Sequence, residues 1–189
     1  MAKKRNRKLY KTVATSMMAA LAIAMMFVVR FSILPNAPFL EYDMGDIPVI
    51  IATLFIGTPA GFIVLFLVSL VQSLTVSIGS SWEGFVMHML STGSYIIIVS
   101  LFIKHKATAV KLISGLAVAT VALTLIMIPL NLIFTPLYMN APVEAVIELL
   151  LPAIIPFNFI KGTINSFIIM LLYSPLRAIL KKSNMLLRK

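Results

Sequence analysis

The chain has 189 residues, 60% of them hydrophobic and 12% charged, with a mean hydropathy of +1.04. A soluble domain is roughly half apolar and about a quarter charged, so this composition belongs to an integral membrane protein and leaves no length for a large soluble domain. The chain has no cysteine, which excludes a disulfide framework, a thiolate metal site and a cysteine nucleophile. A net charge of +10 would suit nucleic acid, but the charges flank long apolar runs, which is the arrangement a bilayer requires.

The basic N-terminus MAKKRNRKLYK leads into an apolar run over 12–34. That run is longer than the roughly 7–15 residues of a secretory signal, so it reads as a retained first transmembrane helix over 10–34. Within it, Ser16, Ala20 and Ala24 recur every fourth residue. Small residues at that spacing admit close approach of a second helix, either of this chain or of a partner. Arg30, near the outer end, can snorkel to the surface. A long acidic and aromatic loop follows, PNAPFLEYDMGDIP over 35–48.

The next apolar stretch, 47–78, is interrupted by GTPAG at 57–61. Charge decides whether it crosses once or twice. Clusters of 6, 3 and 5 basic residues (Lys3 to Lys11; Lys104, Lys106 and Lys111; Arg177 to Lys189) hold 14 of the 16 Lys and Arg. Only two crossings place all three clusters on one face, as the positive-inside rule requires. The expectation is therefore an all-α, multi-pass cell-membrane protein, a single domain over 1–189. Its six transmembrane helices are expected near 10–34, 47–57, 59–78, 85–103, 107–137 and 152–180, with both termini cytoplasmic. All six acids then fall in outside loops. A helix over 47–57 reaches only about 16 Å, so it must pack against protein rather than span alone.

PFNFIKGTINS, residues 156–166, places a lysine in apolar surroundings, where a charge costs roughly 3 kcal/mol on insertion scales. Asn158, Lys161 and Asn165 follow i, i+3, i+7 spacing and share one helix face, with Gly162 beside them leaving room for an approach to the backbone. Asn131 follows Pro129 near the outer end of the fifth expected helix, and His88, Ser91, Thr92 and Tyr95 share a face of the fourth. These polar groups gather in the outer half, beneath the 35–48 loop. They are either hydrogen-bonded helix glue or the lining of a polar pocket, and Lys161 either meets a ligand or pairs with Asp46 or Glu41. Asparagine carboxamides both donate and accept, which suits an uncharged, heteroatom-rich ligand.

No phosphate-binding G-x-x-x-x-G-K-[ST], H-E-x-x-H or G-x-S-x-G pattern occurs, so no ATPase, zinc-protease or serine-hydrolase chemistry is expected, and two histidines cannot build a histidine-rich metal site. No inverted repeat of the secondary-transporter kind is evident.

The segments 35–61, PLNLIFTPLY (129–138) and 156–166 resemble the riboflavin-specific substrate-binding subunits (S-components) of energy-coupling-factor transporters, a resemblance covering most of the chain. It implies a six-helix protein that captures riboflavin from outside and needs no cofactor. Its partners would be a transmembrane coupling subunit and two ATP-binding subunits. It implies that Asn131, Asn158, Lys161 and Asn165, with His88 near them, address the ligand, and that Phe39, Leu40, Glu41 and Tyr42 help close a lid. The stripe of Ser16, Ala20 and Ala24 is similar to the family's docking motif for the coupling subunit. The alternatives are an S-component for another vitamin, such as thiamine or biotin, and a membrane scaffold without transport.

Overall fold

The computed structural model describes residues 2–77, 79–103 and 108–182. The basic residues Lys104, Lys106, Arg188 and Lys189 used in the topology argument lie outside the described residues.

Helix α1 (Ala2–Val28) is followed by a short antiparallel hairpin of β1 (Arg30–Ser32) and β2 (Glu41–Asp43), in which Phe31 lies opposite Tyr42. Then come α2 (Asp46–Phe55), α3 (Thr58–Leu74), α4 (Ser81–Phe102), α5 (Ala109–Met139) and α6 (Val143–Leu149). A π-helical turn at Leu150–Ile154 joins α6 to α7 (Ile155–Lys182). Among the described residues, four stretches are by length and composition long and apolar enough to cross a membrane: Lys8–Val28, Trp82–Phe102, Ala109–Met139 and Val143–Lys182. Helices α2 and α3 are apolar but shorter.

The break between α2 and α3 is local chemistry. Gly57 adopts φ 138° as the N-cap of α3, a conformation open to glycine, and Pro59 sits in the first turn, where a missing N–H costs nothing. The two helices fold back on each other, and a Cβ added at Gly61 would collide with Thr53. Nearly every side chain of α2 is buried, so this helix, too short to span alone, is enclosed by its neighbours α1, α3, α4 and α7. Helix α5 continues through Pro129 and Pro136 and stops at Asn140 in the left-handed conformation, φ 49°. Pro152 lies within the π turn, where Ile155 N–H reaches back five residues to the Leu150 carbonyl. A proline supplies no N–H to the ordinary ladder, and the turn widens around it.

The main apolar core joins α1 through α5 with the middle of α7, around Met26, Ile50, Leu65, Ile96 and Leu116. A second, smaller core seats the loop between β1 and β2: Ala37, Leu40 and Tyr42 pack on Val146, Ala153, Ile154 and Phe157.

Three expectations change. The first helix ends at Val28, not 34, because residues 30–32 pair with 41–43 and Arg30 turns to Glu41. Residues 143–151, expected to lie between the fifth and sixth helices, instead form α6 and the start of the π turn. Asp43 and Asp46, expected in an outside loop, lie in β2 and at the start of α2. Both are buried, and Asp46 opens α2.

Candidate ligand-binding site

A cavity of about 150 Å³ lies between the β1–β2 loop and helices α3, α4, α5 and α7. Seven of the nine residues expected to bind a ligand line it: Phe39, Leu40 and Glu41 from the loop, His88 from α4, Asn131 from α5, and Asn158 and Lys161 from α7. Tyr42 and Asn165 are not in the lining. They lie behind it, where the Tyr42 hydroxyl donates to Asn165 Oδ1 at 3.0 Å. Burial pushes the Tyr42 hydroxyl up to about 12, against the opposing pull of Lys161, and so holds it in the donor form.

Asp46 organises the floor. Its Oδ1 faces His88 Nε2 at 2.8 Å and accepts from the Thr92 hydroxyl at 3.1 Å. Its Oδ2 lies 3.1 Å from Lys161 Nζ and accepts from Asn165 Nδ2 at 3.3 Å. His88 Nδ1 is in turn 3.0 Å from the Ser69 hydroxyl. One carboxylate thus ties α2 to α4 and α7, with α3 joined through His88. This answers the cost of Lys161 in the bundle: a buried cation is tolerated where an anion and further hydrogen bonds meet it. An ammonium has three donors, and Lys161 lines the cavity as well as pairing with Asp46, so the ion pair and a ligand contact are compatible.

The asparagines differ in how far they are engaged. Asn131 Nδ2 donates to the Met127 carbonyl at 2.8 Å and its Oδ1 accepts from Thr135 at 2.9 Å. Asn158 Nδ2 donates to the Ile154 carbonyl at 2.7 Å. Gly162, beside Lys161, makes room for Thr120 of α5: an added Cβ would sit 2.8 Å from Thr120 Cγ2. Tyr95 reaches α7 through Ser166 at 2.7 Å, and Thr120 reaches the same hydroxyl at 3.0 Å.

Arg30 does not snorkel freely. It pairs with Glu41, donates to the Val76 carbonyl at 2.9 Å and lines the cavity. Gln72 and Asp43, neither anticipated as lining, complete this corner, with Gln72 Nε2 donating to Asp43 Oδ2 at 3.4 Å. Among the described residues, Arg30 Nη1 and Gln72 Oε1 are the buried side-chain atoms without a hydrogen-bond partner. A sequence signal for Gln72 exists: Ser69, Gln72 and Ser73 fall at i, i+3, i+4 within the apolar run FIVLFLVSLVQSL, one polar face on an otherwise greasy helix. Ser16, Ala20 and Ala24 stand apart from all of this, on the exposed face of α1, while Thr15, Ala19, Ala22 and Met26 form its buried face.

No group of three or more His, Asp or Glu side chains that could hold a metal occurs among the described residues.

Comparison with known proteins places this arrangement. The chain is 34% identical to the riboflavin transporter RibU of Lactococcus lactis subsp. cremoris over 134 residues, covering 69% of this chain and 65% of that protein. It is 32% identical to RibU of Staphylococcus aureus, covering 91% of this chain and 93% of that one. It is 28% identical to the riboflavin transporter FmnP of Bacillus subtilis, covering 90% and 93%. A solved structure of the S component of a bacterial ECF transporter superposes with a TM-score of 0.80 at 31% identity, covering 92% of this chain and 99% of that chain. The family model for the substrate-specific component of ECF transporters matches residues 11–173, and the chain belongs to that family of membrane proteins.

Proposed function

We propose that this protein binds riboflavin on the outer side of the cell membrane and carries it inward as the S-component of an energy-coupling-factor transporter. In this reading the chain crosses the membrane six times, with α6 and α7 together forming the last crossing, and both termini are cytoplasmic. It has no ATPase site of its own. Two ATP-binding subunits supply the energy through a transmembrane coupling subunit, which docks on the exposed Ser16, Ala20 and Ala24 face of α1.

One observation carries the substrate reading: the cavity combines donors and acceptors of every kind a flavin needs. Lys161, Asn131, Asn158, Arg30 and Gln72 all line it, together with Ser69 and Thr92. A flavin presents carbonyl and imide edges on its ring and hydroxyls on its tail, all uncharged. The similar proteins named as riboflavin transporters support the same choice. At about 150 Å³ the cavity is smaller than the roughly 300–1,000 Å³ of small-molecule sites. A tricyclic ligand therefore enters by displacing the lid residues Phe39 and Leu40, with Glu41 and Tyr42 moving on the same hairpin.

The test is the absorption spectrum of the purified protein, followed by flavin fluorescence titration. A co-purified yellow flavin, or quenching at a one-to-one ratio, is the expected result. A colourless preparation that binds thiamine or biotin and ignores flavin would overturn the substrate while leaving the family intact.

A further inference from the structure

We infer that a second site, at the opposite end of the bundle, binds an anionic glycerophospholipid. A groove of about 350 Å³ opens between the first turns of α5 and the last turns of α7. Leu112 forms its buried floor, while Ile113 and Met170 on its walls are exposed to the surroundings of the bundle. Tyr173, Ser174 and Arg177 complete the lining toward the end of α7. The order along α7 is therefore apolar, then amphipathic, then cationic. From Met170 to Arg177 is about 10 Å at 1.5 Å per residue, the profile of a lipid that passes from acyl chain to headgroup.

Two features hold the polar end in place. Tyr173 stacks on Phe55 of α2 at 5.4 Å between ring centroids, and the Arg177 guanidinium lies 5.9 Å from the Tyr173 ring. The charge around the groove has one sign. Lys111 lies in the first turn of α5 and Lys181 and Lys182 in the last turn of α7. All six acids of the chain (Glu41, Asp43, Asp46, Glu83, Glu144 and Glu148) belong to the far end. A basic pocket between transmembrane helices selects a phosphate headgroup, and an apolar wall open to the side admits the chain attached to it. The groove carries an arginine and a serine, Arg177 and Ser174, at its polar end. This site is independent of the identity of the transported substrate.

The experiment is native mass spectrometry of the full chain in detergent, titrated with phosphatidylglycerol or with phosphatidylcholine of matched acyl chains. Phosphatidylglycerol adducts are expected to exceed phosphatidylcholine adducts, and Arg177→Gln is expected to lower phosphatidylglycerol occupancy about fivefold, corresponding to ~1 kcal/mol for one basic residue at an anionic surface. Ile113→Trp, which fills the groove without touching its charge, should lower occupancy as well, and excess inorganic phosphate should not displace the lipid. Equal binding of the two lipids overturns the proposal. So does an effect of Lys181→Gln as large as that of Arg177→Gln, which would mean diffuse attraction, or displacement by phosphate, which would mean an ion site. Circular dichroism of each variant checks that the helices are intact.

Discussion

The two ends of the bundle use charge in opposite ways. At the lid end, acids are drawn inside: Asp46 is buried and meets Lys161, His88, Thr92 and Asn165 at defined distances. At the other end the charges are basic, and among the described residues Lys8, Lys111, Arg177, Lys181 and Lys182 are exposed. The first arrangement fixes geometry, because a carboxylate with four partners in a low-dielectric interior tolerates little displacement. The second provides a field, which sets orientation in the bilayer without requiring any single contact. Orientation needs only the sign of the second end, whereas the cavity at the first end and the groove beside Arg177 at the second need shape as well.

That contrast makes ordered predictions. The largest effect should come from Asp46→Ala, which strands Lys161 as a buried cation. Removing one partner of a buried pair costs about 3–5 kcal/mol, measurable as a lowered unfolding midpoint in detergent. The pair Asp46→Leu with Lys161→Met should unfold less readily than Asp46→Ala alone, yet bind no flavin. Equal stability of Asp46→Ala and the native protein would break the comparison. Next, Lys161→Met alone should weaken riboflavin binding by at least about tenfold, since a hydrogen bond to a charged group contributes ~1.5–3 kcal/mol. Asn131→Ala should cost less, because that carboxamide is already engaged by Met127 and Thr135. Fluorescence titration reads both.

Gly162→Ala should destabilise by ~1–3 kcal/mol through overpacking against Thr120. Thr120→Ala in the same chain should recover most of that loss, and failure to recover would mean the glycine acts on something other than α5. A pH effect follows from Tyr42. Its folded value, about 12, lies above the ordinary 10.0, so the stability it contributes is complete below pH 10 and is lost between 10 and 12. Tyr42→Phe should remove that part of the alkaline decline. Smallest of all, Ala20→Leu and Ala24→Leu should alter stability by no more than about 0.5 kcal/mol, as exposed substitutions do, and leave flavin binding unchanged. Uptake by cells carrying the partner subunits should nevertheless be lost. Normal uptake would remove the docking role from this face.

Much of this design was legible in the chain. The apolar runs mark the helices, and the 47–78 stretch, which the charge clusters divide in two, breaks between α2 and α3 at Gly57 and Pro59, where local backbone rules favour it. The i, i+3, i+7 spacing put Asn158, Lys161 and Asn165 on one face, and all three do turn inward. What could not be read was pairing between distant segments. The Arg30–Ser32 strand looked like the end of a helix because its partner, Glu41–Asp43, lies beyond a loop. Asp46 is one of two acids the sequence offers as a partner for Lys161, but nothing in MGDIP announces that four side chains from two other helices converge on it. The π turn escaped notice because Pro152 reads equally well as a helix start.

The seating of the lid has a thermal consequence. Ala37, Leu40 and Tyr42 rest on Val146, Ala153, Ile154 and Phe157, so the opening proposed for ligand entry would wet an apolar contact and closure would dry it. Drying apolar surface lowers heat capacity. Ligand capture that ends in lid closure should therefore become steadily more exothermic on warming, and calorimetry at several temperatures would register the lid without any label on it.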